Sequence, residues 1–189
     1  MFYFKKLASF LSKIEVNDNN AKAIEFNKAI LKIVKLILAQ QKKGNKIILI
    51  GNGGSASIAS HIAIDFLKNA KIPAIVFNDV SLLTCISNDL GYEYVFQKPI
   101  ELLAKKDDIL FAISSSGSSK NILNAAKEAK KRGCFLITLS GFSNTNSLKR
   151  LGHLNFYIPS ASYGYVEITH LAICHCIVDT IIEDRKSNG

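Results

Sequence analysis

The sequence contains an apolar run that leads directly into a glycine-rich turn and then into a helical pattern. Residues 47–50 are all large and aliphatic, which predicts a strand buried on both faces of a parallel sheet. Gly51, Gly53 and Gly54 then allow a tight turn and close approach of the backbone, and the hydroxyl of Ser55 is predicted to cap the following helix. Backbone N–H groups at a helix start suit a phosphate or another anion. The turn therefore predicts an anion site in an α/β protein, although it matches neither the dinucleotide fingerprint nor a Walker A loop.

A second apolar run stands in the same relation to a serine-rich loop. Residues 108–113 predict another strand, and Ser114-Ser-Ser-Gly-Ser-Ser119 follow before the amphipathic stretch 121–132. Five hydroxyls and the free amides of such a loop can surround the oxygens of a phosphate, whereas helix capping alone needs one serine. We therefore expect this loop to bind a phosphate. A surface turn that only caps the next helix is the alternative.

Strand and helix patterns alternate along the chain. The predicted strands are residues 46–50, 74–77, 108–113, 134–139 and 154–158. The predicted helices are residues 20–43, 55–69, 81–89, 94–105, 118–131, 145–151 and 163–185. This order predicts a single α/β domain over residues 1–189, with a flavodoxin-like five-stranded parallel sheet and helices on both faces. In such sheets ligands bind beyond the carboxyl ends of the strands, where both turns are predicted to lie.

Charge and cysteine usage narrow the class of protein further. The formal net charge of the 189 residues is +9, but the lysines are scattered without interleaved aromatic residues, so we expect solvated helix faces and no nucleic-acid partner. The four cysteines lack C-x-x-C spacing and are predicted to be reduced. We find no signal peptide and no run of about 20 apolar residues, so we expect a cytoplasmic protein that does not bind a membrane.

The ionisable residues that suit chemistry fall in two predicted helices. His61 and Asp65 are four residues apart and share one helix face, where they can share a metal ion or a proton, or simply form a surface hydrogen bond. Glu167, His170 and His175 lie in the otherwise apolar last helix, with Glu167 and His175 two turns apart on roughly one stripe. Polar groups on such a stripe need partners. The pattern leaves open whether those partners are in a core, an interface or a functional site.

Together these motifs resemble the sugar isomerase (SIS) fold and, within it, the phosphoheptose isomerases, also called sedoheptulose 7-phosphate isomerases. The resemblance runs from the N-terminal helix to the C-terminal helix. It rests on Gly51-Asn-Gly-Gly-Ser55, His61, Ser87-Asn-Asp-Leu-Gly91, Ser114-Ser-Ser-Gly-Ser-Ser119, Leu139-Ser-Gly141, Glu167 and His175.

The resemblance implies an aldose–ketose isomerase that converts sedoheptulose 7-phosphate into D-glycero-D-manno-heptose 7-phosphate, in heptose biosynthesis for lipopolysaccharide or capsule. It implies a homotetramer, with the helices at about 20–43 and 163–185 in subunit packing. The phosphate is expected in the serine loop. The implied substrate-binding residues are Asn52, Gly53, Gly54, Ser55, Asp65, Asn88, Asp89, Ser114, Ser115, Ser116, Ser119 and Glu167.

The resemblance also implies catalytic and metal-binding roles. Asp65 and His175 match the residues that move protons between C1 and C2 of the sugar. The implied ligands of about one zinc ion per subunit are His61, Asp65, Glu167 and His175.

The chain departs from the pattern of this family at four positions. The family has Glu where this chain has Asp65, so the carboxylate is one methylene shorter and would retreat by about 1.5 Å. Glu167 replaces a Gln and adds a negative charge, and Asn69 and Gly164 replace a common Arg and a common Asp. A non-catalytic SIS protein that binds a phosphosugar or another protein is the alternative function. The ionisable residues retained in the site favour the enzyme.

Overall fold

The computed structural model describes residues 2–188, so Met1 and Gly189, the ends of the predicted domain, lie outside it. Its strands are β1 (Glu15–Asp18), β2 (Ile47–Gly51), β3 (Ala74–Val76), β4 (Ile109–Ser114), β5 (Phe135–Ser140) and β6 (Leu154–Tyr157). Its α-helices are α1 (Phe2–Leu11), α2 (Phe26–Lys42), α3 (Gly54–Ile64), α4 (Val80–Asp89), α5 (Gln97–Leu103), α6 (Lys120–Lys131) and α7 (Tyr163–Asn188). A π-helical turn covers Asp65–Asn69, and 3₁₀ turns cover Tyr92–Tyr94 and Leu148–Arg150.

The strands form one sheet in the order β1-β6-β5-β4-β2-β3. Strands β2 to β6 pair in parallel, as predicted, and each starts and ends within one residue of its predicted position. The predicted strand number is too low by one, because β1 pairs with β6 in antiparallel orientation. Strand β1 is a short edge strand in which Val16 is the buried residue, so its sequence has no apolar pattern to signal a strand.

Helices cover both faces of the sheet, as predicted. Strand β2 shows why, because every residue in it is buried and successive side chains point to opposite faces. Ile47 and Leu49 pack in a core with residues of α2, α3 and α7. Ile48 and Ile50 pack in a second core with residues of α5 and α6. The strand is therefore apolar throughout because neither face meets water.

Several predicted helix boundaries are wrong for local reasons. The helix predicted from residue 20 begins at Phe26, because the Glu25 carboxylate caps it by accepting hydrogen bonds from the N–H groups of Asn27 and Lys28 at 2.8 Å. The pattern at 145–151 forms only a single 3₁₀ turn. Helix α1 was not predicted. None of its residues is fully buried, and its contacts are made by side chains such as Phe10, which packs against the core and against Tyr165 of α7.

Helix α7 contradicts the expectation that no segment resembles a membrane span. By length and composition alone, Tyr163–Ser187 is apolar enough to cross a membrane, because a stretch of 18 residues in it has a mean hydropathy of 1.4. The helix packs against α2 and α3, and 44% of that stretch is buried inside the protein. A core helix passes the same test, so the composition of α7 is weak support for a membrane role.

Candidate functional site

The glycine turn and the serine loop meet at the carboxyl edge of two neighbouring strands. Strands β2 and β4 pair in parallel with Gly51 opposite Ile113, and each turn follows its strand directly. A cavity of about 240 Å³ lies between the two turns. The lining residues are Asn52, Gly53, Gly54, Ser55, Ser114, Ser115, Ser116, Ser119, Tyr163 and Glu167. A larger cavity of about 770 Å³ lies along β1 and contains none of the predicted site residues.

The glycine turn makes a helix start that no side chain caps. Gly53 is the N-cap of α3 and has a φ of +52°, a conformation that favours glycine. The predicted capping role of Ser55 is wrong, because Ser55 lies inside the first turn of α3 and is buried. A Cβ atom on Gly51 would lie 2.5 Å from the Ser55 carbonyl, so the strand end and the helix start are in direct contact. The uncapped start of α3 suits an anion.

The serine loop contains a buried hydroxyl with no partner. Within the loop, the Ser114 hydroxyl accepts a hydrogen bond from Gly117 N at 3.2 Å, and the Ser116 hydroxyl accepts one from Ser118 N at 3.3 Å. Ser115 Oγ is buried and has no hydrogen-bond partner among the described residues. Ser119 is the N-cap of α6 but makes no side-chain capping bond, so capping does not account for the loop. An orphaned hydroxyl beside a polar cavity is suited to a ligand oxygen.

Glu167 lies at the start of α3, in the same cavity. A Cβ atom on Gly54 would lie 2.5 to 2.6 Å from both carboxylate oxygens and the Cδ of Glu167, so this close approach requires glycine. The positive end of the helix dipole favours a carboxylate at that place. Glu167 is eight residues before His175 on α7, which corresponds to about 12 Å along the helix. The predicted four-residue metal set is therefore not assembled within one chain.

The other three predicted metal ligands do come together, at the far end of α3. Asp65 Oδ2 lies 3.4 Å from His61 Nε2 and 3.6 Å from His175 Nδ1. The two imidazole rings are 5.3 Å apart, and one ligand atom from each of the three residues lies within 4.8 Å of the others. Asp65 Oδ1 accepts a hydrogen bond from Asn69 Nδ2 at 3.0 Å. Two imidazoles and one carboxylate can hold a zinc ion or transfer protons.

The cavity and this histidine–aspartate group are well separated in one chain. Gly54 and Asp65 are eleven residues apart on a continuous helical segment, which corresponds to about 16 Å. That distance exceeds the length of one sugar phosphate, whose carbon chain extends by less than about 1.5 Å per bond. Asn88 and Asp89 are not brought to the cavity either, since both are exposed near the end of α4 and bond to each other at 2.9 Å.

Three polar residues that the sequence did not predict adjoin the cavity. Tyr163 lines it from the first position of α7. Tyr92 Oη donates to Asn52 Oδ1 at 3.0 Å, and Asn121 Nδ2 donates to the same oxygen at 2.8 Å. These contacts fix the orientation of the Asn52 amide. Their signals in the sequence were positional, because Tyr92 follows the Ser87–Gly91 motif and Asn121 follows the serine loop.

His170 belongs to the core rather than to the site. It is fully buried, and its Nε2 lies 3.3 Å from the Ser140 carbonyl oxygen. Burial lowers the pKa of His170 to about 4. The imidazole is therefore neutral near pH 7. Its contact with Ser140 joins α7 to the end of β5.

The chain is similar in sequence and in fold to known proteins of one family. The sequence profile of the SIS domain family matches residues 3–141. A phosphoheptose isomerase from Helicobacter hepaticus is 38% identical over 167 residues, which cover 85% of each chain. A solved phosphoheptose isomerase structure from Francisella tularensis superposes with a TM-score of 0.82 at 28% identity, covering 96% of this chain and 95% of that one. A second, from Neisseria gonorrhoeae, has a TM-score of 0.74 at 30% identity and covers 82% of this chain and 85% of that one.

Proposed function

This chain belongs to the phosphoheptose isomerase family of SIS-domain proteins, and on that basis we propose that it converts sedoheptulose 7-phosphate into D-glycero-D-manno-heptose 7-phosphate. It is an aldose–ketose isomerase. The observation that carries the proposal for its site is the group formed by His61, Asp65 and His175. A protein that only bound a phosphosugar would have no need of a carboxylate and two imidazoles in mutual contact.

The proposed reaction needs one base and one acid. Asp65 takes a proton from C1 of the ketose while His175 gives a proton to O2, which forms an enediol. Asp65 then returns a proton to C2, and His175 takes one back from O1, which leaves the aldose. The contact of 3.6 Å between the two side chains supports this pairing, because both must reach adjacent carbons of one substrate.

The phosphate end is proposed to bind in the serine loop, because the Glu167 carboxylate already lies against the start of α3 and would repel it. The orphaned hydroxyl of Ser115 and the uncapped start of α6 supply donors, and binding far from the reacting carbons supplies positioning energy. A carboxylate can only accept hydrogen bonds, so the side chain of Glu167 suits the hydroxyls of the sugar rather than the phosphate oxygens. We therefore assign Glu167 to sugar binding.

Zinc is the proposed metal, at about one ion per chain. Two imidazole nitrogens and one carboxylate oxygen match the ligand set of a catalytic zinc site, which keeps a fourth position open. Zinc bound there would stabilise negative charge on the enediolate oxygens. Because Glu167 is out of reach in one chain, a fourth ligand would come from water, from the substrate or from another subunit.

We also propose that one SIS domain over residues 1–189 assembles into a homotetramer, in which α2 and α7 take part in subunit packing. The separation of about 16 Å along α3 supports an assembly in which one chain supplies the phosphate cavity and a neighbour supplies the acid and base. Exposed aromatic residues, including Phe2, Phe4 and Tyr163, provide apolar surface for such contacts. A cytoplasmic location and a role in lipopolysaccharide or capsule heptose synthesis belong to the same proposal.

The test is turnover of sedoheptulose 7-phosphate by the purified full-length protein, with the aldose phosphate detected by proton NMR. We expect wild-type protein to form the aldose and His175→Ala to lose at least about a hundredfold in kcat. His153→Gln is the matched control, because His153 lies outside the site and its Nδ1 accepts a backbone hydrogen bond that Gln can also accept. Tight binding of the phosphosugar with no turnover would refute the isomerase and support the non-catalytic alternative.

A further inference from the structure

We propose that Asn69 and Arg185 are positioning residues for Asp65. Asn69 holds one oxygen of the Asp65 carboxylate, and Arg185 holds the end of the π-helical turn Asp65–Asn69. The proposal rests on the isomerase function proposed above. It assigns a role to two residues that neither line the cavity nor belong to the group of His61, Asp65 and His175.

The local backbone of Asp65 is unusual. The α-helical pattern of α3 ends at Ile64, and Ala70 N then donates to the Asp65 carbonyl at 3.0 Å, five residues back along the chain. This is the bonding of a π-helical turn, a rare element that often occurs at functional sites. An aspartate has a short side chain, so the position of its carboxylate depends closely on its backbone. The turn therefore determines where this acid points.

Asn69 assigns the two oxygens of Asp65 to different neighbours. The Asn69 amide donates to Oδ1 at 3.0 Å, while Oδ2 lies 3.4 Å and 3.6 Å from the nitrogens of His61 and His175. Because Oδ1 is held, rotation of the carboxylate about its last side-chain bond is restricted. Oδ2 is therefore kept on the side of the two imidazoles.

Arg185 fixes the other end of the turn. Its Nη1 donates to the carbonyl of Ala70, the residue that closes the π turn, and its Nη2 donates to Gln41 Oε1 at 2.6 Å. The Gln41 amide in turn donates to the Lys71 carbonyl at 2.6 Å. Arg185 and His175 both lie on α7, so the same helix holds the turn and presents the imidazole. The relative position of Asp65 and His175 is thus fixed through two separate contacts.

The first test compares Asn69→Leu, Asn69→Gln and the control Asn19→Leu in the full-length protein. Leu has the shape of Asn without its donor, Gln keeps the donor, and Asn19 is an exposed asparagine in the turn after β1, outside the cavity of the site. The readouts are kcat, KM for sedoheptulose 7-phosphate, thermal midpoint, and zinc affinity measured by competition with a chromophoric chelator.

We expect Asn69→Leu to lower both kcat and zinc affinity by about ten- to a hundredfold, with KM nearly unchanged. Asn69→Gln should recover part of both, and Asn19→Leu should change neither. An unchanged kcat and zinc affinity in Asn69→Leu would overturn the proposal, as would an equal loss in the control. The zinc measurement needs no turnover. If wild-type protein makes no aldose, the isomerase proposal fails while the zinc comparison still tests Asn69.

The second test is Arg185→Lys. Lysine lacks the planar guanidinium that donates to the Ala70 carbonyl oxygen and to Gln41 Oε1 at the same time. We expect kcat to fall about tenfold with KM preserved, since placement rather than substrate affinity is changed. Arg150→Lys is the matched control, because Arg150 is exposed at the end of the 3₁₀ turn Leu148–Arg150. If Arg185→Lys lowers the thermal midpoint but leaves the kcat of the folded protein unchanged, Arg185 is structural only and its part of the proposal is wrong.

Discussion

Replacing Asp65 by the longer acid, Asp65→Glu, tests whether this site is built around a short carboxylate. The extra methylene moves the carboxylate by about 1.5 Å. Asp65 Oδ2 now lies 3.4 Å from His61 and 3.6 Å from His175, so an advance of that size straight towards either nitrogen would leave only about 2 Å between the two atoms, well inside hydrogen-bond distance. The side chain must therefore turn away, and the 3.0 Å bond from Asn69 is lost.

We expect kcat to fall by about a hundredfold, which corresponds to about 3 kcal/mol of transition-state stabilisation. The measurement is kcat at saturating sedoheptulose 7-phosphate, with zinc in excess and with the thermal midpoint as a check on folding. Asp18→Glu is the matched control, because Asp18 lies in the edge strand β1 and neither lines the site cavity nor belongs to the histidine–aspartate group. A variant Asp65→Glu that turns over faster than the wild type would refute this reasoning, and would show that the short acid is a handicap of the site.

Three further predictions concern the cavity and the core. Gly54→Ala places a methyl group 2.5 Å from the Glu167 carboxylate, which must swing out, so we expect KM to rise about tenfold at a nearly constant thermal midpoint, and an unchanged KM would remove Glu167 from sugar binding. Asp108→Ala removes a buried carboxylate that bonds Lys46 Nζ at 2.5 Å, so the free energy of unfolding in urea should fall by about 3 to 5 kcal/mol, and a loss below about 1 kcal/mol would contradict this. The folded-state pKa of His170 is about 4, below the ordinary 6.5, so the unfolded chain binds a proton in this window that the folded chain does not. Stability from this residue is present above pH 6.5 and is lost as the pH falls towards 4, by up to about 3 kcal/mol, and His170→Gln should show a smaller loss between pH 7 and pH 4.5 in urea titrations.

The parallel strands could be predicted because burial on both faces leaves an unmistakable apolar run, as in residues 47–50. Strand β1 could not, because an edge strand needs only one buried side chain. The start of α3 was predicted one residue too late, at Ser55, because a serine hydroxyl often caps a helix. The helix begins at Gly54, after Gly53 with its positive φ. A glycine in a sequence permits a positive φ but does not require one, so the conformation of Gly53 could not be predicted.

The site was predicted in its parts but not in its spacing. The helical spacing of His61 and Asp65 correctly placed them on one face, and the structure adds His175 from α7. The grouping of Glu167 with them is not found within one chain, because a shared stripe says nothing about the distance of about 12 Å along the helix. Asn69 was recognised as a departure from the family, and its spacing of four residues from Asp65 permits their hydrogen bond in any helix. The π turn between them could not be predicted, because it leaves no mark on apolar periodicity.

Helix α3 would mechanically link two active centres in the proposed assembly. It begins at the proposed phosphate cavity of its own chain, and Asp65, the residue after its last one, is the acid that would serve a neighbour. A tilt of about four degrees, pivoting at Gly54, would shift Asp65 by about 1 Å over a lever of about 16 Å. Occupation of one cavity would then alter the geometry of reaction in the next, and the dependence of rate on substrate concentration would depart from a simple hyperbola.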